Sequence, residues 1–197
     1  MKNKIRWGRW ALVVLLLLSA ATWGGYAYLG GYAPVTVTEE EMGPLELVFE
    51  VHRGEYGTIY PQVQRVQTRL EGLGLNGPRT FGLYYDNPEL VAEPDLRSLG
   101  GGILPWGRTL PMDQQNRFRH GLLKRQSFLV ARHPMRHPLS ILIGLRRVYP
   151  VLEKARQPID LAPAGVMEIY DHAQEEILYL LPLDPQGFSN IAPELER

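Results

Sequence analysis

The chain contains no cysteine. That excludes disulfides, thiolate zinc sites and cysteine nucleophiles. It also carries no surplus charge, with 21 Lys plus Arg against 21 Asp plus Glu, so bulk electrostatics call for no polyanionic partner. Phosphate-cradling and nucleophile motifs are missing as well: there is no P-loop, dinucleotide fingerprint or nucleophile elbow. His133 and His137 have helical metal-ligand spacing, but Pro134 and Pro138 follow them and oppose a regular helix there. No metal or cofactor is expected.

What is present begins with one long apolar run. Lys2, Lys4, Arg6 and Arg9 precede an uncharged stretch over residues 10–29, long enough to span a bilayer as a helix. Trp10, Trp23, Tyr26 and Tyr28 fall near its ends, where aromatic belts sit. The basic flank over residues 1–9 predicts a cytoplasmic N-terminus and an extracytoplasmic domain. Ser19-Ala20-Ala21 could serve as a signal cleavage site, but the uncharged stretch continues past it, which favours a retained anchor.

Residues 30–43 read as a linker, residues 44–184 as one domain and residues 185–197 as a loosely held tail. The domain shows an internal repeat. Leu83-Tyr84-Tyr85-Asp86 and Glu168-Ile169-Tyr170-Asp171 stand at matching places, each after a strand and an amphipathic helix. Ile59, Val63, Val66, Leu70 and Leu73 stripe the first helix; Ile141, Leu145, Val148, Leu152 and Ala155 stripe the second with the same spacing. A fixed period marks repeated supersecondary units. The expected fold is α+β: two strand–helix–strand–strand modules, residues 44–103 and 126–184, related by a pseudo-two-fold and joined by a connector over 104–125, with one transmembrane helix before them. Pro150 should kink the second helix or mark a break in it. Gly100-Gly101-Gly102 suggests a bulge or a close approach by another group.

Charge is unevenly spread. Residues 114–152 contain no Asp or Glu, while residues 157–197 are strongly acidic. Mutual neutralisation on a solvated surface is one reading, and a basic face toward anionic headgroups is another.

The repeat points to Glu168, where a carboxylate replaces Leu83 at a strand position that should face inward. Glu168 and Tyr170 share one strand face, with Met167 and Ile169 on the other. If the helices cover the Met167 side, the opposite face carries Tyr85, Tyr170 and Glu168. Tyr56 and Trp106 are the other aromatic candidates. Two rings and a carboxylate in a partly apolar groove suit a cationic or amphipathic ligand. Desolvation would also fit Glu168 for proton transfer. The plain alternative puts Glu168 in solvent beside Arg132 or Arg136. Asp86-Asn87-Pro88 reads as a turn and His52 as a solvated strand residue.

Four segments in order resemble a known family: His52-Arg53-Gly54-Glu55-Tyr56-Gly57, Tyr84-Tyr85-Asp86-Asn87-Pro88, Arg146-Arg147-Val148-Tyr149-Pro150 and Glu168-Ile169-Tyr170. Together they resemble the GyrI-like (gyrase-inhibitor-like) small-molecule-binding domain, in a membrane-anchored branch. The resemblance implies a cleft between two modules with a family carboxylate in it, mapped onto Glu168. It implies drug sensing, gyrase binding or hydrolysis of strained cyclopropane compounds as precedents. No DNA-binding segment accompanies it, so nucleic acid is not an expected partner. Phe188-Ser189-Asn190-Ile191 has the aromatic-x-x-aliphatic form of an autophagy-recruiting motif, a pattern short enough to arise by chance. The leading expectation is a membrane-anchored ligand-binding domain whose partners are bilayer lipid and an unknown small molecule. A hydrolase using Glu168 as its acid–base group is one rival, and a membrane-surface scaffold is the other.

Overall fold

A computed structural model describes residues 2–157, 165–184 and 186–192. Asp160, Glu194, Glu196 and the end of the expected tail lie outside the described residues. Helix α1 is Lys2–Tyr28, and over Trp10–Tyr28 it is long and apolar enough to cross a membrane. Eight strands follow in one antiparallel, curled sheet: β1 Val37–Met42, β2 Leu45–Arg53, β3 Arg79–Tyr84, β4 Arg97–Ile103, β5 Arg119–Leu123, β6 Gln126–Pro134, β7 Val166–Asp171 and β8 Glu176–Pro182. Their spatial order is β1-β6-β8-β7-β3-β4-β2-β5. Helices α2 Tyr60–Gly72, α3 Met112–Gln115 and α4 Leu139–Arg156 complete the elements.

The two amphipathic stripes form the core contacts their spacing predicts. Val66 and Leu70 of α2 are buried with Val48 of β2, while Val148 and Leu152 of α4 are buried with Ala131, Ile177 and Tyr179. Burying a leucine such as Leu70 completely stabilises by roughly 1.5–3 kcal/mol. Strand β2 shows both faces of its alternation. Leu47 and Phe49 enter the far side of the sheet, Val48 meets α2, and Glu50 accepts ion pairs from Arg65 (2.7 Å) and Arg69 (3.1 Å) of that helix. The triple glycine has a packing reason. A Cβ at Gly100 would sit 2.9 Å from Ile59 and Val63, and one at Gly102 would meet Gln67 and Leu70, so α2 lies directly on this bare strip of β4. Pro150 is accommodated inside an unbroken α4.

Three boundaries differ from expectation. Val37–Met42, read as linker, pairs with β6 as an edge strand, tied by Arg132 of β6 to Glu40 through two bonds of 2.6 and 2.7 Å. The residues between the modules supply α3 and β5, and β5 extends the sheet beside β2. Phe188, Ile191 and Ala192, read as loose tail, are buried in the large apolar cluster on the far face. Phe188 is 2% exposed and Ile191 4%, so both apolar positions of the aromatic-x-x-aliphatic pattern are core residues.

The placement of the helices fixes the candidate site. Helix α2 packs over β2 and β4, and α4 over β6 and β8. The middle strands β3 and β7 therefore run between the two helices, on the face that both helices share.

Candidate functional site

Glu168 lies in β7, opposite Gly82 of β3. Residues paired across an antiparallel ladder point to the same face, so Glu168 shares its face with Tyr170, Thr80, Gly82 and Tyr84. This is the helix-bearing face. The expectation that helices cover Met167 and Ile169 is reversed: those two side chains belong to the apolar cluster on the far side with Leu83, Phe81 and Leu99.

The carboxylate is 1% exposed. The Tyr149 hydroxyl, brought by α4, donates to Oε1 at 2.8 Å, and the Tyr170 hydroxyl donates to Oε2 at 2.5 Å. The Tyr84 hydroxyl lies beside that of Tyr170. Tyr84 meets Tyr56 edge to face at 4.8 Å between ring centres, and Tyr149 meets Tyr179 likewise at 5.8 Å. Tyr56, Tyr84, Tyr149 and Tyr170 are each half-buried, whereas Tyr179 is fully buried. The buried acid is thus bonded by two tyrosines, with Tyr84 and Tyr56 continuing the aromatic cluster beyond Tyr170.

Two glycines make this approach possible. At Gly82 a Cβ would come within 2.6 Å of the Tyr84 hydroxyl, so the bare backbone opposite Glu168 leaves the ring its place. At Gly144 of α4 a Cβ would collide with the Tyr179 hydroxyl and approach the His133 ring to 3.1 Å, so the helix can settle closely over β6 and β8.

The electrostatics follow from burial. Desolvation pushes the Glu168 carboxyl above its ordinary range, and the hydroxyls of Tyr170 and Tyr149 pull it back only in part. Among the described residues no lysine, arginine or histidine forms an ion pair with it. Arg132 is engaged with Glu40, and Arg136 stands over the Tyr28 ring at 5.9 Å. The solvated placement beside an arginine is therefore not what the chain adopts. Burial also raises Tyr149, Tyr170 and Tyr84, with the nearby carboxylate adding to each shift, while Tyr56 is pushed up to about 12 chiefly by burial. These phenols are donors at neutral pH.

The other sequence candidates fall elsewhere. Tyr85 stands one residue past β3 and packs against the far-face cluster, with the Arg97 guanidinium 6.0 Å from its ring centre. Its neighbour Tyr84 occupies the place assigned to it. Trp106 is 82% exposed after β4, and no ring contact joins it to the tyrosines among the described residues. Tyr56 is at the margin of the cluster, its hydroxyl donating to the Asp86 carbonyl at 3.0 Å. Asp86 itself holds Arg97 through backbone and side chain, at 2.7 and 2.6 Å, and Asn87 closes the turn with a bond from the Glu89 amide at 2.9 Å. The Asp-Asn-Pro turn is structural. His52 is buried, not solvated: its ring nitrogens meet Ser98 Oγ at 3.1 Å and Thr58 Oγ1 at 3.0 Å. Tyr149 and Tyr84 were missed as site residues. The signal for Tyr149 was available, because it lies inside the Arg146–Pro150 segment that carries the family resemblance.

No protein-family model matches the chain. Testis-expressed protein 264 of Homo sapiens is 27% identical over 186 residues, which cover 89% of this chain and 56% of that protein. Its homologue in Mus musculus is 27% identical over 187 residues, covering 90% of this chain and 57% of that one. The chain thus spans little more than half the length of these curated relatives. Among solved structures, the C-terminal domain of EcmrR superposes with a TM-score of 0.52 at 12% identity, covering 75% of this chain and 96% of that domain. SAV2435 bound to tetraphenylphosphonium superposes with a TM-score of 0.50 at 14% identity, covering 75% and 93%. At such identities the likeness is one of fold alone.

Proposed function

We propose that this chain is a membrane-anchored small-molecule-binding protein whose cleft between α2 and α4 accepts a cationic or amphipathic ligand. The observation that carries the reading is Glu168: a carboxyl sealed from water, held by two tyrosine hydroxyls and supplied with no cationic partner among the described residues. A buried acid without a counter-charge is a local cost to the empty protein. A ligand bringing positive charge offsets that cost, and the faces of Tyr84, Tyr149 and Tyr170 add cation–π attraction. Entry in this reading requires the half-buried rings to swing aside by rotamer change, which leaves the strands folded. Tetraphenylphosphonium, the molecule bound to SAV2435, is the natural first probe because it joins a single positive charge to a large aromatic surface.

The strand–helix–strand–strand halves support a duplicated origin for this cleft. In each, the last strand inserts between the first two, giving β2-β4-β3 on one side and β6-β8-β7 on the other. The cleft falls where β3 meets β7. Helix α1 is the anchor in this reading, with the N-terminus cytoplasmic and the domain on the opposite side.

The test is calorimetric titration of the full chain in detergent with tetraphenylphosphonium. Binding should be measurable and should weaken by about tenfold or more, roughly 1.4 kcal/mol or above, in Glu168→Gln. Equal affinity in wild type and variant would remove Glu168 from the site and end the proposal.

A hydrolase is the second reading, favoured by the 2.5 Å Tyr170–Glu168 bond together with the raised carboxyl. A protonated acid beside a phenol can deliver a proton to a leaving group. In that case Glu168→Gln should abolish turnover of a strained electrophile by about a hundredfold or more while binding persists.

A further inference from the structure

The end of α1 is not loosely tethered to the domain. Arg147 of α4 donates to the Gly31 carbonyl and, at 2.5 Å, to the Ala33 carbonyl. Arg136, three residues before α4, bonds the Tyr28 carbonyl at 3.4 Å and covers the Tyr28 ring. Buried His133 packs so closely on Gly30 that a Cβ there would stand 2.9 Å from its ring. Tyr32 then folds back along the helix, stacking on Trp23 at 5.9 Å and meeting Tyr26 edge to face at 5.0 Å. Pro34 and β1 follow at once, and β1 is bolted into the sheet.

These contacts give the domain a set height and tilt relative to α1. Trp and Tyr rings near the end of a span sit at the membrane–water boundary. Tyr32, stacked on Trp23, is therefore at that boundary, and the groups touching Tyr28 lie just outside it. Arg136, before the first turn of α4, touches Tyr28 at the span's end, and Arg147, two turns in, touches residues 31 and 33 on either side of Tyr32. The first turns of α4, including its N-terminal end, therefore lie alongside this boundary.

That end is apolar and open. Leu139 is 50% exposed and Leu142 58% exposed, and half-buried Ile143 lies on the same line as Leu139 and Arg147, at helical i, i+4 and i+8. Arg136 and His137 precede them, Arg146 stands one turn above Leu142, and no acidic residue occurs anywhere over 114–152. Leucines with arginines one turn higher are how an interfacial helix meets lipid, the apolar groups entering the acyl boundary and the guanidiniums taking phosphates.

We propose that the first turns of α4 form a second membrane contact, with Leu139 and Leu142 inserted in the acyl boundary of an anionic bilayer and Arg136 and Arg146 on its phosphates. The domain is thereby held flat beside its anchor, with α4 as both membrane foot and wall of the cleft. This inference rests on reading α1 as an anchor.

The absence of cysteine makes the test direct. Single cysteines are introduced into the full chain by Leu142→Cys, Leu139→Cys, Leu15→Cys in α1 and Glu71→Cys on the exposed side of α2. Each is nitroxide-labelled and reconstituted into nanodiscs of phosphatidylcholine and phosphatidylglycerol, and collision with oxygen is compared with collision with a water-soluble nickel chelate. All four sites are surface positions, so labelling leaves the core intact. The expected result is loss of nickel accessibility at 139 and 142, as at 15, with 71 remaining nickel-accessible. Positions 139 and 142 behaving like 71, with 15 still protected, would overturn the foot and leave the anchor standing. Nickel access at 15 would overturn the anchor and the foot together. Dipolar broadening between labels at 142 would assign this face to a second copy of the chain, which also overturns the proposal. Reversing the charges by Arg136→Glu with Arg146→Glu should restore nickel access at 142 in the same discs.

Discussion

Tyr149 of α4 and Glu168 of β7 are joined by a 2.8 Å hydrogen bond, so the helix is tied directly to the buried acid of the sheet. The same helix, two residues earlier, holds carbonyls that follow α1. Any ligand that reached Glu168 by displacing Tyr149 would act on an element that is also fastened to the end of α1.

The first prediction concerns the proton on Glu168. Burial raises its carboxyl above the ordinary 4.5, so the native state keeps this proton to higher pH than the unfolded chain does. Across that window the unfolded state binds fewer protons, and stability falls as pH rises from 4.5 through the raised native value. Glu168→Gln has no such proton to lose. Its melting temperature relative to wild type should therefore climb with pH over this window and level off above it. A difference that stays flat under thermal denaturation would mean that the carboxyl is not sealed.

Tyr149→Phe should act in the opposite direction. It removes one of the two hydroxyls that favour the ionised carboxylate, leaving Oε1 unsatisfied at an expected cost of about 1–2 kcal/mol. Because the remaining environment raises the carboxyl further, that cost should be larger in alkaline than in acidic buffer. Denaturant melts at two pH values, compared with wild type, would read both the size and the sign.

Leu70→Ala probes the first helical stripe. Leu70 is 0% exposed and lies under Gly102 of β4, so the substitution opens a cavity beside the glycine strip. A loss of about 2–5 kcal/mol is expected. A chemical-denaturation loss below about 0.5 kcal/mol, the range of ordinary surface changes, would mean that α2 is not seated as described.

Arg147→Met tests the docking of α1 on the domain without touching Glu168 or its tyrosine partners. The guanidinium supplies two bonds to residues 31 and 33, and methionine keeps much of its apolar stem. Amide exchange at Ala33, whose N–H bonds the Gly30 carbonyl at 3.0 Å, should accelerate, and protease should cut near residues 30–36. The β1–β6 ladder should stay protected, because Arg132–Glu40 holds it separately. Unchanged exchange at Ala33 would show that the bonds from Arg147 are dispensable.

How much of this was legible in the chain follows from the range of each interaction. The apolar stripes on α2 and α4, the alternation in β2 and the apolar run of α1 are local patterns, set by 3.6- and two-residue periods that leave one face to bury. Glu168 stood out for the same reason, as a carboxylate in a strand otherwise fit for the interior. β1 was harder to see because an edge strand with one polar face, reading Val-Thr-Glu-Glu-Glu-Met, carries little apolar signal and takes its order from β6.

Which residues meet Glu168 was a question of register, and register is not local. Shifting the match between the two repeats by one residue turns every side chain to the other face; that is why Tyr84, rather than Tyr85, lies over the acid. The α4 residue that reaches it, Tyr149, comes from 19 positions away in sequence, and only the seating of α4 on β6 and β8 brings its hydroxyl there. The sequence by itself determined the membrane-length helix, the two buried stripes and the acid that has to be accounted for. The tertiary structure decided the side of the sheet on which the helices sit, the tyrosines that bond the acid and the clamp on the end of α1, because each depends on groups made neighbours only by long-range pairing.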